Sequence, residues 1–284
     1  MTRPTILLIG SAGQLGFELA RVLPAHGEVV ALDRAALDLA DADAVVAAVR
    51  GARPRLIVNA AAYTAVDRAE SEPGLADAIN TRAPGILAEE ARRAGALLIH
   101  YSTDYVFDGA AAAPYDELAT TNPVNAYGRS KLGGERAIAA AGALSLVLRT
   151  SWVYGLRGRN FLTTMRKLAV EREEIKVVAD QIGTPNWTRS LAEATAALVG
   201  RAGAELAERA GLYHLSGGGS TSWFDFARAI FADADRPRVV PITSAEYPTA
   251  ARRPGNSVLA SGKFADTFGF HLPPWEEMLH ACVA

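Results

Sequence analysis

Two side chains that can move protons stand four residues apart in the sequence. Tyr127 and Lys131 enclose a short polar stretch, and on a helix this spacing places both side chains on one face. A nearby ammonium favours tyrosinate, so we expect Lys131 to lower the pKa of Tyr127 from its ordinary value of about 10. Such a tyrosine would serve as a general acid or base. The alternative interpretation is a surface pair without chemistry.

A small hydroxyl side chain occupies a second position where chemistry is expected. Ser102, Thr103 and Asp104 directly follow an apolar run that ends at Tyr101. In a doubly wound sheet the carboxyl ends of the strands face the ligand, so Thr103 can present its hydroxyl to a substrate carbonyl. Small hydroxyl residues also cap turns at such positions, and that interpretation stays open.

A glycine-rich segment near the N-terminus has the spacing of a dinucleotide-binding turn. Gly10, Gly13 and Gly16 follow an apolar run and open a helical pattern. The first glycine allows a tight turn, the second lets the backbone approach a pyrophosphate, and the third lets helix and strand pack closely. The free N–H groups of the helix start then face the negative charge. A helix start that is rich in glycine by chance is the alternative.

Two neighbouring residues give opposite indications about the cofactor. Asp33 ends the second apolar run, and an acidic residue about 20 positions after the glycines can bind the adenosine ribose, which favours NAD. Arg34 follows at once, and an arginine there can accept the 2′-phosphate of NADP. NADH and NADPH therefore both stay open, as does a plain turn aspartate at position 33.

Apolar runs alternate with helical patterns through about residue 150. This alternation predicts βαβ units and an α/β fold, a doubly wound parallel sheet of the Rossmann type. Pro84 predicts a kink or break in one helix. The predicted strands are residues 5–9, 28–32, 55–58, 96–101 and 144–149, and the predicted helices are residues 13–23, 42–49, 75–93 and 126–141.

The alternation of apolar runs and helical patterns becomes less regular after residue 151, and the C-terminal tail is rich in proline and arginine. We expect a smaller C-terminal substrate-binding domain here. The predicted division is a dinucleotide-binding domain over residues 1–150, to which the chain returns around 174–207, and a mainly substrate-binding domain over 151–284. Further helices are predicted at 160–173, 190–207 and 222–232, and further strands at 176–178 and 211–215.

Composition excludes several classes of function. The chain of 284 residues is 50% hydrophobic and carries a net charge of −2 without a dense basic run, so nucleic acid is not an expected partner. Cys282 stands alone and cannot form an internal disulfide. The first apolar run is too short for a signal peptide or a membrane span, so we expect a cytoplasmic protein. The five histidines form no ligand motif, and we expect no metal.

The motifs together resemble those of the extended short-chain dehydrogenase/reductase superfamily. Within it, longer segments resemble the dTDP-4-dehydrorhamnose reductase family, and the similarity runs from Thr5 to the last helical pattern. The segments that carry the resemblance are NAAAYTAVDRAESEP (59–73), YSTDYVFDG (101–109), NAYGRSKLGGE (125–135), LRTSWVYG (148–155) and RRPGNS (252–257).

The resemblance implies reduction of the C4 keto group of dTDP-4-dehydro-6-deoxy-L-mannose to dTDP-L-rhamnose by hydride from NADPH or NADH. It implies that Tyr127 donates the proton to the C4 oxygen, that Lys131 binds the nicotinamide ribose and that Thr103 hydrogen-bonds to the carbonyl oxygen. The implied substrate contacts are Thr103, Asp104, Trp152, Arg253 and Asn256. The implied cofactor contacts are Gly10, Gly13, Gln14, Leu15, Gly16, Asp33, Arg34, Asp38, Leu39, Ala62, Tyr63, Thr64, Tyr101, Tyr127 and Lys131.

The resemblance also implies a dTDP-sugar as the partner, with no nucleic acid and no membrane, and it leaves a homodimer open. Some family members are described with magnesium held by glutamates at a dimer interface. Glu18 matches one such position, whereas the other falls near Arg189, so no metal site is predicted.

Two alternative functions remain. A sugar-nucleotide epimerase or dehydratase shares the glycine turn and the Tyr127–Lys131 pair, although dehydratases usually carry a second acid where Tyr105 follows Asp104. A non-catalytic regulatory subunit, like the beta subunit of methionine adenosyltransferase, has the same fold. The presence of Thr103 beside the tyrosine and lysine argues against it.

Overall fold

A parallel sheet lies at the centre of the computed structural model, which describes residues 3–201, 203–232 and 237–284. Within these residues the sheet has six strands in the order β2-β1-β3-β4-β5-β10, and every neighbouring pair is parallel. The predicted α/β, doubly wound fold is confirmed. The strands are β1 (Thr5–Ile9), β2 (Glu28–Leu32), β3 (Leu56–Asn59), β4 (Leu97–Thr103), β5 (Ser145–Thr150), β6 (Val153–Tyr154), β7 (Glu174–Val178), β8 (Ile182–Gly183), β9 (Asn186–Trp187), β10 (Gly211–His214), β11 (Thr221–Ser222) and β12 (Arg238–Ile242).

Helices cover both faces of this sheet, because successive strand side chains point to opposite faces and both faces are apolar. Leu8 belongs to a buried cluster with α1, α8 and α11, whereas Leu7 belongs to a cluster with α2, α5 and α6. The helices are α1 (Gln14–Val22), α2 (Ala42–Ala52), α3 (Val66–Ser71), α4 (Pro73–Asp77), α5 (Ala83–Ala94), α6 (Ala126–Ala141), α7 (Phe161–Glu171), α8 (Thr188–Val199), α9 (Gly203–Glu208), α10 (Trp223–Ile230), α11 (Gly262–Phe268) and α12 (Trp275–Val283).

The strand order reverses direction at β1. The chain runs from β1 through α1 to β2 on one side, and then returns through α2 to β3 on the other side of β1. The loops that leave the carboxyl ends of β1 and β3 therefore diverge, and a crevice opens between them. This switch point is the place where a doubly wound sheet binds its ligand.

A second group of elements follows β5. β7 and β12 form a parallel pair, and α7 and α10 pack against it. An aromatic cluster of Tyr154, Phe226 and Trp275 fills the space between α7, α10 and α12. The predicted domain boundary at residue 150 stays a prediction. No helix in the described part of the chain combines the length and the apolar character needed to cross a membrane.

The observed bounds differ from the predicted ones at a few places. β4 extends to Thr103, two residues beyond its predicted end. A π-turn, Ala78–Arg82, interrupts the long predicted helix just before Pro84, because proline lacks the N–H that would continue the regular ladder. The predicted helix 190–207 corresponds to α8 and α9, and residue 202 between them lies outside the described residues.

Candidate active site

A cavity of about 880 Å³ lies at the carboxyl edge of the sheet and reaches from the glycine turn to the start of α10. It brings together the three predicted catalytic residues and most of the predicted ligand contacts, although they come from distant parts of the chain. The predicted residues that line it are Gly10, Gly13, Gln14, Leu15, Asp33, Arg34, Asp38, Leu39, Ala62, Tyr63, Thr64, Tyr101, Thr103, Asp104, Tyr127, Lys131 and Trp152.

The glycine turn is shaped by close contacts between backbone segments. Gly10 has a φ of +85°, and a Cβ there would lie 2.8 Å from the backbone nitrogen of Ala61. A Cβ on Gly16 would lie 2.0 Å from the carbonyl oxygen of Gly10, so Gly16 packs against the turn rather than lining the cavity. Gly13 caps α1 without a side-chain hydrogen bond. The first N–H groups of α1 can therefore bind an anion.

Asp33 shapes a turn and also lines the cavity. Its Oδ1 accepts hydrogen bonds from the backbone N–H groups of Ala35 and Ala36, each at 3.0 Å, so it shapes the turn after β2. The same residue and the exposed Arg34 also line the cavity. The carboxylate and the guanidinium thus stand side by side at this end of the cavity.

Three hydrogen bonds fix the start of α6. The Asn125 side chain accepts from the backbone N–H of Gly128 at 2.8 Å and donates to the carbonyl of Arg252 at 2.9 Å. The backbone N–H of Ala126 donates to Glu70 at 2.7 Å. An N-cap asparagine and a carboxylate at a helix start both stabilise the helix. They tie the first turn of α6, which carries Tyr127, to α3 and to the C-terminal segment.

Tyr127 packs closely against the turn that follows β4. Its ring meets that of Tyr105 edge to face, with centroids 5.6 Å apart. The neighbouring Gly128 allows this approach, because a Cβ there would lie 2.1 Å from the Tyr105 carbonyl oxygen. Burial raises the pKa of Tyr127 to about 12, and a hydrogen bond with Thr103 opposes the shift.

Lys131 points beneath Tyr127 towards the sheet. Its Nζ donates to the carbonyl of Tyr101 at 2.7 Å and lies 3.2 Å from Nε2 of His100. Burial lowers the pKa of Lys131 to about 8, and the carboxylate of Glu135 acts in the opposite direction. The predicted lowering of the Tyr127 pKa by Lys131 is not seen in this structure, where the bonds of Lys131 go to the sheet and burial raises the tyrosine pKa.

Thr103 ends β4 opposite Thr150 of β5. Its hydroxyl donates to Oδ1 of Asp104 at 2.8 Å and accepts from the backbone N–H of Tyr105 at 3.2 Å. The residue therefore caps a turn and also lines the cavity. Asp104 is 3% exposed, and no hydrogen bond of ordinary geometry reaches its Oδ2. Burial raises its pKa to about 6, and the hydroxyls of Thr103 and Ser257 oppose the shift. Two oxygen atoms thus lie at the base of the cavity, one of them free to accept a hydrogen bond.

Trp152 forms a wall of the cavity. It has a φ of +44°, and its ring stacks on that of Trp223 with centroids 3.5 Å apart and planes 3° apart. Its indole N–H donates to the hydroxyl of Ser257 at 3.1 Å. Trp223 and Thr150 also line the cavity, and sequence reasoning missed both. The position of Thr150 at a strand end could have identified it, whereas no sequence signal places α10 beside β5.

Two predicted substrate contacts lie apart from the cavity lining. The guanidinium of Arg253 donates to Asp67 at 2.8 Å. The amide of Asn256 donates to the carbonyl oxygens of Ala111 and Ala113 at 2.8 and 3.2 Å. Both side chains hold the C-terminal segment against the loops around it, so the structure does not bring them together with the other predicted residues.

The carboxylate of Glu18 lies 3.4 Å from Arg21 and 3.5 Å from Arg189. Arg189, which lies near the position aligned with the second glutamate, thus forms an ion pair with Glu18. Across the described ranges, no group of three or more histidine, cysteine, aspartate or glutamate side chains is arranged to hold a metal ion.

A tyrosine and a lysine on one helix, with a threonine opposite, line the cavity at the carboxyl edge of a Rossmann-type sheet, and this combination resembles that of the extended short-chain dehydrogenase/reductase superfamily. A family model described as "RmlD substrate binding domain" matches residues 4–284. With the relatives described next, this match shows that the chain belongs to the dTDP-4-dehydrorhamnose reductase family.

The relatives cover nearly the whole chain. A protein from Burkholderia thailandensis named dTDP-4-dehydrorhamnose reductase is 48% identical, over 98% of this chain and 97% of its own length. A Streptomyces antibioticus protein named probable dTDP-4,6-dihydroxy-2-methyloxan-3-one 4-ketoreductase is 43% identical, over 96% of this chain and 92% of its own. The crystal structure of dTDP-4-dehydrorhamnose reductase from Bacillus anthracis in complex with NADP is similar, with a TM-score of 0.93 and 38% identity, over 100% of this chain and 99% of that one.

Proposed function

We propose that the chain is an NAD(P)H-dependent dTDP-4-dehydrorhamnose reductase. It reduces the C4 keto group of dTDP-4-dehydro-6-deoxy-L-mannose and forms dTDP-L-rhamnose. The observation that carries the proposal is the meeting of Tyr127 and Thr103 at the base of the cavity, with Lys131 beneath them. The names of relatives such as the 48% identical protein support the choice of substrate.

The cavity fits a dinucleotide. A side chain at Gly10 or Gly16 would collide with backbone atoms, and Gly13 leaves the first N–H groups of α1 free for a pyrophosphate. At the far end, Asp33 can accept from a ribose hydroxyl and Arg34 can accept a 2′-phosphate. NADPH or NADH, when bound, supplies the hydride. The NADP in the Bacillus anthracis structure supports this assignment.

The chain's own part in the reaction is to orient the carbonyl and to supply one proton. A phenol with a pKa near 12 is protonated at neutral pH, which is the form that a proton donor needs. The proton passes from the Tyr127 hydroxyl to the C4 oxygen. The Thr103 hydroxyl turns its one proton from Asp104 to the same oxygen, and then to the tyrosinate left behind. Lys131 lies where it can hold the nicotinamide ribose.

Two buried polar atoms and an aromatic wall supply the sugar contacts. Oδ2 of Asp104 and Oγ1 of Thr150 have no partner within the described residues, and a buried polar group without a partner is costly unless a ligand satisfies it. Both residues line the cavity beside Trp152. We therefore assign them to the sugar hydroxyl groups and assign the indole to the apolar face of the ring.

The proposal is tested by mixing the protein with the 4-keto sugar nucleotide and either NADPH or NADH, and following oxidation of the cofactor. The 4-keto sugar that gives the Streptomyces antibioticus relative its name is run in parallel. Oxidation should be faster with the rhamnose precursor. If neither sugar supports oxidation, the proposed function is wrong. An NAD that survives gel filtration would instead favour an epimerase. Sedimentation velocity on the same sample measures whether two copies associate.

Tyr127→Phe tests the proton donor. Turnover should fall by about 10²–10⁴-fold, while the affinity for NADPH stays within about twofold, since only the proton is lost. The matched control is Tyr115→Phe, because the Tyr115 hydroxyl bonds to Asp108 and Ala111 away from the cavity. It should keep near-parental turnover. Near-parental turnover in Tyr127→Phe would assign the proton to another group.

A further inference from the structure

A buried histidine that the proposed reaction does not use lies directly behind Lys131. His100 of β4 is 0% exposed, and Asn59 lies opposite it at the end of β3. The Asn59 amide Nδ2 is 3.1 Å from Nδ1 of His100, and the Lys131 Nζ is 3.2 Å from Nε2. Lysine, imidazole and amide thus form a buried chain that runs from the cavity into the sheet.

Counting the donors and acceptors limits which of these three groups can carry a proton, and on which nitrogen atom. The Asn59 Oδ1 accepts from the backbone N–H of Ala61 at 3.1 Å, which turns the amide Nδ2 towards His100. An amide nitrogen only donates, so Nδ1 of His100 must be the acceptor. A neutral imidazole then carries its proton on Nε2 and directs it at Lys131. An ammonium cannot accept that proton, whereas a neutral amine can.

The other arrangement costs a backbone hydrogen bond. If Lys131 is an ammonium that donates to Nε2, the imidazole proton moves to Nδ1. Asn59 must then turn its oxygen towards His100 and give up the bond to Ala61. Ala61 is half-buried, so the lost partner costs at most about 1–3 kcal/mol.

We propose that His100 is a positioning residue for the reaction proposed above: held by Asn59, its neutral imidazole directs an N–H at Lys131 and favours the amine over the ammonium. Lys131 can then take up and release a proton near neutral pH. The alternative is a histidine that only fills the core.

The electrostatic surroundings agree with this assignment. Burial and the charge of Lys131 hold the pKa of His100 well below its ordinary value, so the imidazole is neutral. Burial lowers the pKa of Lys131 to about 8. Glu135, one turn along α6, acts in the opposite direction, but its carboxylate is shared with Arg149 of β5 and Ser102 of β4.

The chain offers a direct measurement that needs no substrate. Its lysines are Lys131, Lys167, Lys176 and Lys263, and the last three are exposed. Because Lys131 is the buried lysine among these four, its ¹³Cε NMR signal should differ from the others, and its chemical shift can be followed against pH. In the parent protein it should titrate near pH 8. At pH 9, where Lys131 is mostly the amine, ¹⁵N-histidine-labelled protein should carry the His100 proton on Nε2.

Two variants should move the titration of Lys131 upwards by about one pH unit, a tenfold change in the protonation equilibrium. His100→Gln places an amide oxygen where it can accept from the ammonium. Asn59→Asp pulls the imidazole proton to Nδ1 and leaves Nε2 as an acceptor. The matched control is His214→Gln, since His214 is equally buried but bonds to Tyr115 and Arg149. It should leave Lys131 unchanged.

The same shift should appear in the pH dependence of kcat, with KM for the sugar within about twofold, because only proton exchange at Lys131 changes. An unchanged Lys131 titration in His100→Gln, or an Nδ1 proton on His100 in the parent at pH 9, would overturn the proposal. If His100→Gln does not fold, the labelled parent and Asn59→Asp decide. The Lys131 titration needs no turnover. A titration that contradicts the role of His100 therefore does not contradict the proposed reaction, and the titration can still be interpreted if the protein shows no turnover.

Discussion

Burial shifts the titratable side chains at and beneath the base of the cavity towards their neutral forms. The pKa values of Tyr127 and Asp104 are raised, and those of Lys131 and His100 are lowered. Each shift has the same main cause, since a charged group loses its hydration when it leaves water. A charge that develops on a reacting oxygen beside these groups would be felt strongly, because the buried surroundings screen it poorly.

Asp104→Asn should make the protein more stable at pH 8 than the parent. The carboxyl pKa rises from 3.8 to about 6 on folding, so above pH 6 the folded state holds a poorly partnered charge that costs up to about 3 kcal/mol. Between pH 6 and 4 the folded parent binds the proton and the difference shrinks. Urea unfolding at pH 8, 6 and 4 measures it. A difference that grows towards low pH would contradict the raised pKa.

At the scale of elements, a π-turn holds the loop after β3 and helix α6 together. The Asn80 side chain accepts from the backbone N–H of Tyr63 at 2.8 Å, and its amide donates to the Tyr63 carbonyl and to Ser130 of α6, both at 3.0 Å. Gly134 lets α6 come close, since a Cβ there would lie 2.1 Å from the Asn80 carbonyl oxygen. Irregular helical turns often mark functional sites, and here the irregularity aims one asparagine at both partners.

Gly16→Ala should destabilise the protein and abolish dinucleotide binding. The added methyl group would meet the Gly10 carbonyl oxygen at 2.0 Å, and relieving that overlap moves α1 away from the turn at a cost of about 1–3 kcal/mol. Gly51→Ala is the matched control in α2, where a Cβ meets nothing within 4 Å. It should be neutral or stabilising by up to about 1 kcal/mol. Thermal unfolding and NADPH titration compare the two. If both substitutions had the same effect, the contact between Gly16 and the glycine turn would not be its cause.

Sequence patterns located the elements that rest on local signals. β1, β2 and α6 begin and end where the apolar runs and the helical pattern predict. The end of β4 was missed because Ser102 and Thr103 are polar, and only their pairing with Arg149 and Thr150 makes them strand residues. The position of the Lys131 Nζ also depends on β4, because its partners His100 and Tyr101 belong to that strand.

The candidate site was predictable to the extent that strand ends and short motifs reveal it. Thr103, Tyr127 and the glycine turn are visible in the sequence. The contact between His100 and Asn59 can be predicted only if the pairing register of β3 and β4 is known. The stack of Trp152 on Trp223 joins residues that several helices and strands separate along the chain. Long-range packing of this kind leaves no local pattern.

At the scale of the whole molecule, the cavity is closed by a contact between the sheet and the elements after β5. Trp152 follows β5, and Trp223 begins α10. Their stack joins the two parts where they face the cavity, and Phe161 packs on Trp223 from behind, with ring centroids 4.6 Å apart. The position of the cavity wall therefore depends on how the C-terminal elements fold.

Trp223→Ala should weaken sugar-nucleotide binding more than cofactor binding. Loss of an aromatic pair is worth about 0.5–1.5 kcal/mol, which corresponds to roughly a two- to tenfold rise in Kd for dTDP-L-rhamnose. The Kd for NADPH should stay within about twofold, because the glycine turn lies at the other end of the cavity. Calorimetric titration with each ligand measures both. Trp223→Phe should restore most of the loss. An equal loss for both ligands would mean that the stack supports the cavity as a whole.

The edge position of β2 has a consequence for how the family diversifies. The sheet ends at this strand, and Asp33 and Arg34 follow it at the rim of the molecule. Substitutions at these two positions need no repacking of the core. Under the proposed function, in which these two residues meet the ribose and its 2′-phosphate, a lineage can exchange one nicotinamide cofactor for the other by substitution at this rim and follow whichever reduced pool its metabolism supplies, while the buried residues around Lys131 stay as they are.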